Sequence, residues 1–158
     1  MNAIIHSRAF ADLRARVEQV VGWLDAFPLW LLQFIFRFSI GSVFWQAGLT
    51  KITSWQTTIV LFRDEYKVPV LPPELAAYLA TGVEMACPIL LTLGLVARFA
   101  TLPMLAQTIV IEVFVYPEDW VEHLTWAAML LLILTRGAGV LSIDHLVVRK
   151  LSAERGDR

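Results

Sequence analysis

The chain of 158 residues is poor in the residue types that most reactive centres use: it has one cysteine, three histidines and only 17% charged residues. A single cysteine, Cys87, excludes an intramolecular disulfide and a Cys-x-x-Cys redox pair, so any electron chemistry must come from a cofactor or a partner. Cys87 itself reads as a small packing residue. The histidines are His6 in the amino-terminal segment, His123 at a helix mouth and His145 in the tail. That placement offers no pair of intramembrane histidines, so no haem is expected. No metal-ligand spacing, phosphate-cradling glycine loop or nucleophile triad occurs, and no metal is expected. The first 20 residues lack the charged start and apolar core of a cleavable signal peptide, so none is expected. Internal repeats and low-complexity tracts are absent too, and no nucleic-acid partner is expected.

What is abundant is apolar residues, 58% of the chain, far beyond the balance of a soluble domain. The sequence predicts an all-α integral membrane protein, a single domain over 1–158, built as a four-transmembrane-helix bundle. The spans are expected at 29–49, 75–96, 99–116 and 119–136, since a spanning helix needs about 20 apolar residues. The fourth apolar run is the shortest and counts as spanning only if Arg136 snorkels to the surface. Residues 1–27 read as an amphipathic interfacial segment, with Phe10, Leu13, Val17, Val20, Val21 and Leu24 set against Arg14, Arg16 and Glu18. Between the first two spans, Trp55, Ile59, Val60, Phe62 and Tyr66 recur near a helical period and predict a short extracytoplasmic helix. The proline-rich 68–73 is expected to be extended. Residues 137–158 read as a basic tail, with Gly137-Ala138-Gly139 stopping the last span and Ser142-Ile143-Asp144 able to restart a helix.

The charges are few but unevenly placed. Arg8, Arg14, Arg16, Arg98, Arg136, Arg149, Lys150, Arg155 and Arg158 fall on one side of the expected bilayer, and Lys51, Arg63 and Lys67 on the other. The excess of basic residues predicts that both termini are cytoplasmic and, with four spans, that the protein is multi-pass. Arg37 belongs to neither side, because it stands inside the first apolar run. An ionisable residue there needs a partner and is a candidate for function. Counting depth at 1.5 Å per residue places Arg37 and Gln107 about 12 Å and Glu84 about 16 Å from the same face. Arg37, Glu84 and Gln107 are therefore expected in one layer, as a ligand site or as an ion pair that fixes helix register. Pro88 removes the amide that would bond the carbonyl of residue 84, which marks this turn as a site for a kink. Lys51, Glu112 and His123, with Glu118 and Asp119, are expected to converge at an outer mouth, unless they merely snorkel to headgroups. The aromatic crowd of Phe34, Phe36, Phe38, Phe44 and Trp45 fits either lipid-facing packing or the wall of a flat ligand such as a quinone.

These residues fall into a recognisable order. Arg37, Gly41, Phe44, Gly48 and Lys51 on the first span, Glu84 on the second, Leu93-Gly94-Leu95 with Arg98, and Gly137-x-Gly139-x-x-Ser142-x-Asp144 near the end resemble the DoxX family of small four-helix bacterial inner-membrane proteins. The resemblance covers about residues 30 to 146 and departs from the family pattern at Ala86-Cys87-Pro88, where relatives often carry glycines. It implies a redox theme at or near the quinone pool, since family members are similar to subunits of thiosulfate:quinone oxidoreductase, to proteins needed for amine dehydrogenase maturation and to components of oxidative-stress complexes. The expectation is an accessory, non-catalytic subunit of a redox system, binding a quinone or lipid-like ligand beside a partner oxidoreductase or as a homo-oligomer. A small oligomeric proton-coupled transporter titrating at Glu84, and a structural scaffold or assembly factor, are the alternatives.

Overall fold

The computed structural model describes the backbone of residues 2–156 and the side chains of 13–153. The side chains of His6, Arg8, Phe10, Arg155 and Arg158, which entered the reading above, lie outside the described residues. Among the described residues all regular structure is helical. In chain order it comprises α1 (Asn2–Asp25), α2 (Leu29–Thr53), α3 (Trp55–Leu61), α4 (Pro73–Leu93), α5 (Ala97–Val110), α6 (Trp120–Arg136) and α7 (Ile143–Gly156). Helix α3 runs on as a π-helical turn, Phe62–Tyr66, and α5 as another, Ile111–Val115.

Proline and glycine set most of the boundaries. Pro28, extended at φ −71° and ψ 119°, precedes α2, and the chain bends there by 56° between Leu13–Asp25 and Leu29–Thr53. Pro73 opens α4 at a first-turn position that wastes no amide. Gly94, at φ +67°, closes α4 with paired bonds from Gly94 N to the Leu91 carbonyl and from Leu95 N to the Leu90 carbonyl. This is the left-handed cap that glycine favours. It ends the helix three residues before the apolar run does. Pro88 lies inside α4, which continues through it as one helix. The segment before α4 is not uniformly extended, because Val70 takes φ +76° with its side chain fully in the open. A β-branched residue is strained there.

Helix α2 packs against α4 and α6, and α5 packs against the same two helices. Gly48 allows the closest approach of α2 to α4: a Cβ there would lie 2.7 Å from Met85 Sδ and 3.1 Å from Glu84 Cβ. The apolar centre, with Ile40, Phe44, Cys87, Leu91, Met104, Leu130 and Ile133, is shared among all four helices. Around it the usual polarity is inverted. Gln33, Arg37, Glu84, Thr101, Thr108 and His123 are buried, while Phe38, Leu79, Phe99, Ile109, Leu124 and Leu131 point outward. Water would penalise that arrangement and hydrocarbon favours it. By length and apolarity Pro73–Leu93 and Ala97–Val115 can each cross a bilayer, and α1 with α2 qualifies as a bent pair. Helix α6 has 17 residues, about 26 Å of rise against a hydrocarbon core of about 30 Å. All described large apolar side chains of α1, from Leu13 to Leu24, are exposed.

Candidate functional site

The structure does not pair Arg37 with Glu84. The guanidinium is fully buried and donates instead to backbone carbonyls: Nη1 to Leu91 O at 3.4 Å and Thr92 O at 3.3 Å, and Nη2 to Leu141 O at 2.5 Å. Leu91 and Thr92 lie in the last turn of α4, whose carbonyls are not all satisfied within the helix and carry the negative end of the helix dipole; Leu91 O also accepts from Gly94 N. Depth counting failed because α2 and α4 are not flush. The first two turns of α2 extend beyond the end of α4, and Gln33 there reaches the carbonyls of Arg136 and Gly137 at the end of α6. Arg37 consequently lies level with residues 91 and 92, about 11 Å along α4 from Glu84.

Around Arg37 the residues of the closing signature form a clasp. Asp144 caps α5 from a distance in sequence, its two carboxylate oxygens accepting from Val96 N at 2.8 Å and Ala97 N at 3.0 Å. The amide of Asp144 returns a bond to Gly94 O at 2.9 Å. Ser142 caps α7 through its hydroxyl, which accepts from His145 N. A Cβ on Gly94 would collide with Arg37 Nη1 and Ser142 Cβ, and one on Gly139 with Gln33 Oε1. Apart from Arg37 Nε, which is buried without a partner, these groups are bonded to backbone or to their neighbours, which makes the arginine end a structural lock. Sequence reasoning missed Gln33 and the capping role of Asp144. The signal available was the i, i+4 spacing of Gln33 and Arg37 on one helix face.

Glu84 is bonded at the other end of the bundle. Lys51 Nζ donates to Glu84 Oε1 at 2.8 Å, and Gln107 Nε2 donates to the same oxygen at 2.6 Å. The structure thus brings Glu84 and Gln107 together and adds Lys51, which the sequence had placed in a shallower mouth. Glu84 is 2% exposed and the Lys51 side chain 17%, so the ion pair is largely removed from solvent. Thr58 on α3 bonds the Lys51 carbonyl and anchors the end of α2. His123 Nδ1 meets Glu112 Oε2 at 2.7 Å, with the histidine buried and the carboxylate partly exposed. Glu112 sits in the π-helical turn after α5, an irregularity frequent at functional sites.

Lys51, Glu84, Gln107 and His123 line one cavity of about 250 Å³. Its walls are mostly apolar and aromatic, including Phe44, Phe62, Tyr66 and Trp126, and Tyr116, Asp119 and Glu122 also line it. Trp126 is held edge-on by Phe44 and by the His123 ring. Tyr66 and Tyr116 stand edge to face, and the Tyr116 hydroxyl donates to Glu65. Glu112 supports His123 but does not line the cavity, and Glu118 is exposed outside it. On the cavity's polar lining residues, Glu84 Oε2 and Gln107 Oε1 are buried without a hydrogen-bond partner, as are Arg37 Nε and Thr81 Oγ1 on residues that do not line it. Buried polar atoms left in that condition cost free energy unless something else satisfies them.

The comparisons with known proteins agree with the motif order. A protein of Haemophilus influenzae bearing the name "Uncharacterized protein" is 29% identical over 126 residues, an alignment covering 72% of this chain and 81% of that protein. No solved structure matches. The DoxX family model matches residues 32–117, over half of the chain. That stretch runs from the clasp on α2 through Lys51, Glu84 and Gln107 to the turn after α5, and on this ground the chain belongs to the DoxX family.

Proposed function

We propose that this chain is a four-span protein of the bacterial cytoplasmic (inner) membrane, both termini cytoplasmic, that binds the headgroup of a quinone-class molecule as an accessory subunit of a redox system. In this orientation α1 would lie on the cytoplasmic interface, where its exposed apolar residues meet lipid, and α3 at the opposite face. The observation that carries the reading is the pair of unpartnered buried oxygens, Glu84 Oε2 and Gln107 Oε1, on residues lining a mostly apolar cavity. Ligand pockets have this character, with mostly apolar walls and a few convergent polar groups, and run from about 300 Å³ upward. At about 250 Å³ this cavity is the size of a headgroup, and a tail would extend outside it. Arg37, bonded in the clasp, takes no part in binding. The accessory role follows the redox theme that the family resemblance implies, and electrons would pass to a partner oxidoreductase beside it or to a second copy of the chain.

The test is extraction. Protein purified in mild detergent should release a quinone-class molecule near one equivalent into organic solvent, and the Lys51→Met, Glu84→Leu double variant should release none while remaining folded. Wild-type protein that carries no such molecule and takes up none when it is supplied would refute the reading. A proton-coupled carrier is favoured by one observation: Lys51 and Glu84 line the same cavity as His123, whose ring is paired with Glu112 behind it. In proteoliposomes that alternative requires proton flux that Glu84→Gln abolishes.

A further inference from the structure

The unsatisfied atoms on the cavity's lining residues are both acceptors, and that restricts what can bind. A carboxylate oxygen only accepts, and Gln107 already spends an amide hydrogen on Glu84 Oε1, leaving its carbonyl oxygen without a partner. Turning the amide over would set its oxygen 2.6 Å from that carboxylate oxygen, so the donor assignment follows from the contact itself. A quinone carbonyl brings acceptors and would leave Glu84 Oε2 and Gln107 Oε1 unbonded. A cationic donor meets the Lys51 ammonium, which already balances Glu84 at 2.8 Å. A neutral molecule with hydroxyl donors on a ring meets neither objection, and the apolar wall that includes Phe44 and Trp126 suits the ring.

We infer that the cavity selects the reduced, hydroxyl-bearing form of its ligand, an aromatic diol of the hydroquinone class, with one hydroxyl hydrogen shared between Glu84 Oε2 and Gln107 Oε1. The inference rests on the reading that the cavity binds a quinone-class headgroup and adds the redox state that it takes. Each hydrogen bond to a buried, otherwise unpaired acceptor is worth roughly a tenfold change in affinity, more where the acceptor is charged.

Trp126 in the wall supplies an intrinsic fluorescence probe. Wild-type protein in nanodiscs is titrated without oxygen using three short-chain ligands of one shape: a decyl-benzohydroquinone, the decyl-benzoquinone, and the hydroquinone dimethyl ether, which cannot donate. The expected result is hydroquinone binding about tenfold or more tightly than the other two. Gln107→Leu should shrink that preference several-fold, and because the ligand series is read on the unaltered protein, poor folding of the variant leaves the test intact. Quinone binding as well as or better than hydroquinone overturns the inference and leaves the proposed function standing. Equal binding of hydroquinone and its dimethyl ether also overturns it. Binding of none of the three overturns both.

Discussion

The two carboxylate oxygens of Glu84 have unequal surroundings: Oε1 accepts from Lys51 and Gln107, and Oε2 accepts from nothing. Removing one member of such a buried pair strands the other charge, which typically costs about 3–5 kcal/mol, whereas apolar replacement of both is often neutral. Glu84→Leu alone should therefore lower stability by about that amount in detergent unfolding, and adding Lys51→Met should recover most of it. A double variant no more stable than the single one would show that the pair does not behave as a buried ion pair. Arg37 predicts the opposite separation of effects. Arg37→Met removes the guanidinium from the Thr92 and Leu141 carbonyls and leaves Leu91 O with Gly94 N alone, a loss on the order of 3 kcal/mol, yet ligand affinity of the folded fraction should not change. The residue types of the candidate site were legible in the sequence, because charged and amide side chains in apolar runs stand out. Which cation meets Glu84 was not legible. That depends on how far α2 slides past α4, and the slide is fixed by Gly48 against Glu84 and by Gln33 against the end of α6.

At the scale of elements, the helices themselves were close to readable. The apolar runs 29–49, 75–96, 99–116 and 119–136 correspond to Leu29–Thr53, Pro73–Leu93, Ala97–Val115 and Trp120–Arg136. The discrepancies have local causes. Gly94 stops α4 early with its left-handed cap, and Val96, at φ +44°, is forced into the same region at the start of α5. A valine tolerates that only because surrounding contacts over-determine it, and here Asp144 holds the amides of Val96 and Ala97. The π-helical turns at Phe62–Tyr66 and Ile111–Val115 were not legible, since hydrophobic period alone does not distinguish an extra residue in a turn. Asp144→Ala removes both capping bonds and should cost about 1–2 kcal/mol by thermal or chemical unfolding, with Asp144→Asn recovering part of it. Loss no greater than a surface alanine substitution would mean that the clasp does not hold α5.

For the whole molecule, buried polar groups and outward apolar ones divide the protein into two ends with different work. One end is closed by backbone-directed bonds from Gln33, Arg37 and Asp144; the other holds the cavity, two titratable pairs and the irregular turns. The proposed orientation puts the clasp at the cytoplasmic face and the cavity toward the opposite one. In a Cys87→Ala background, Val70→Cys should react with a membrane-impermeant thiol reagent on intact inner-membrane-facing spheroplasts, and Ser152→Cys only after permeabilisation. The reverse pattern would invert the topology. The location of the ligand tests the account more directly than topology does. A photoactivatable azido-quinol bound to the purified protein and mapped by mass spectrometry should label peptides containing Phe44 to Lys51 and Trp126. Labelling concentrated around Arg37 and the end of α4, with those cavity peptides unmarked, would contradict it.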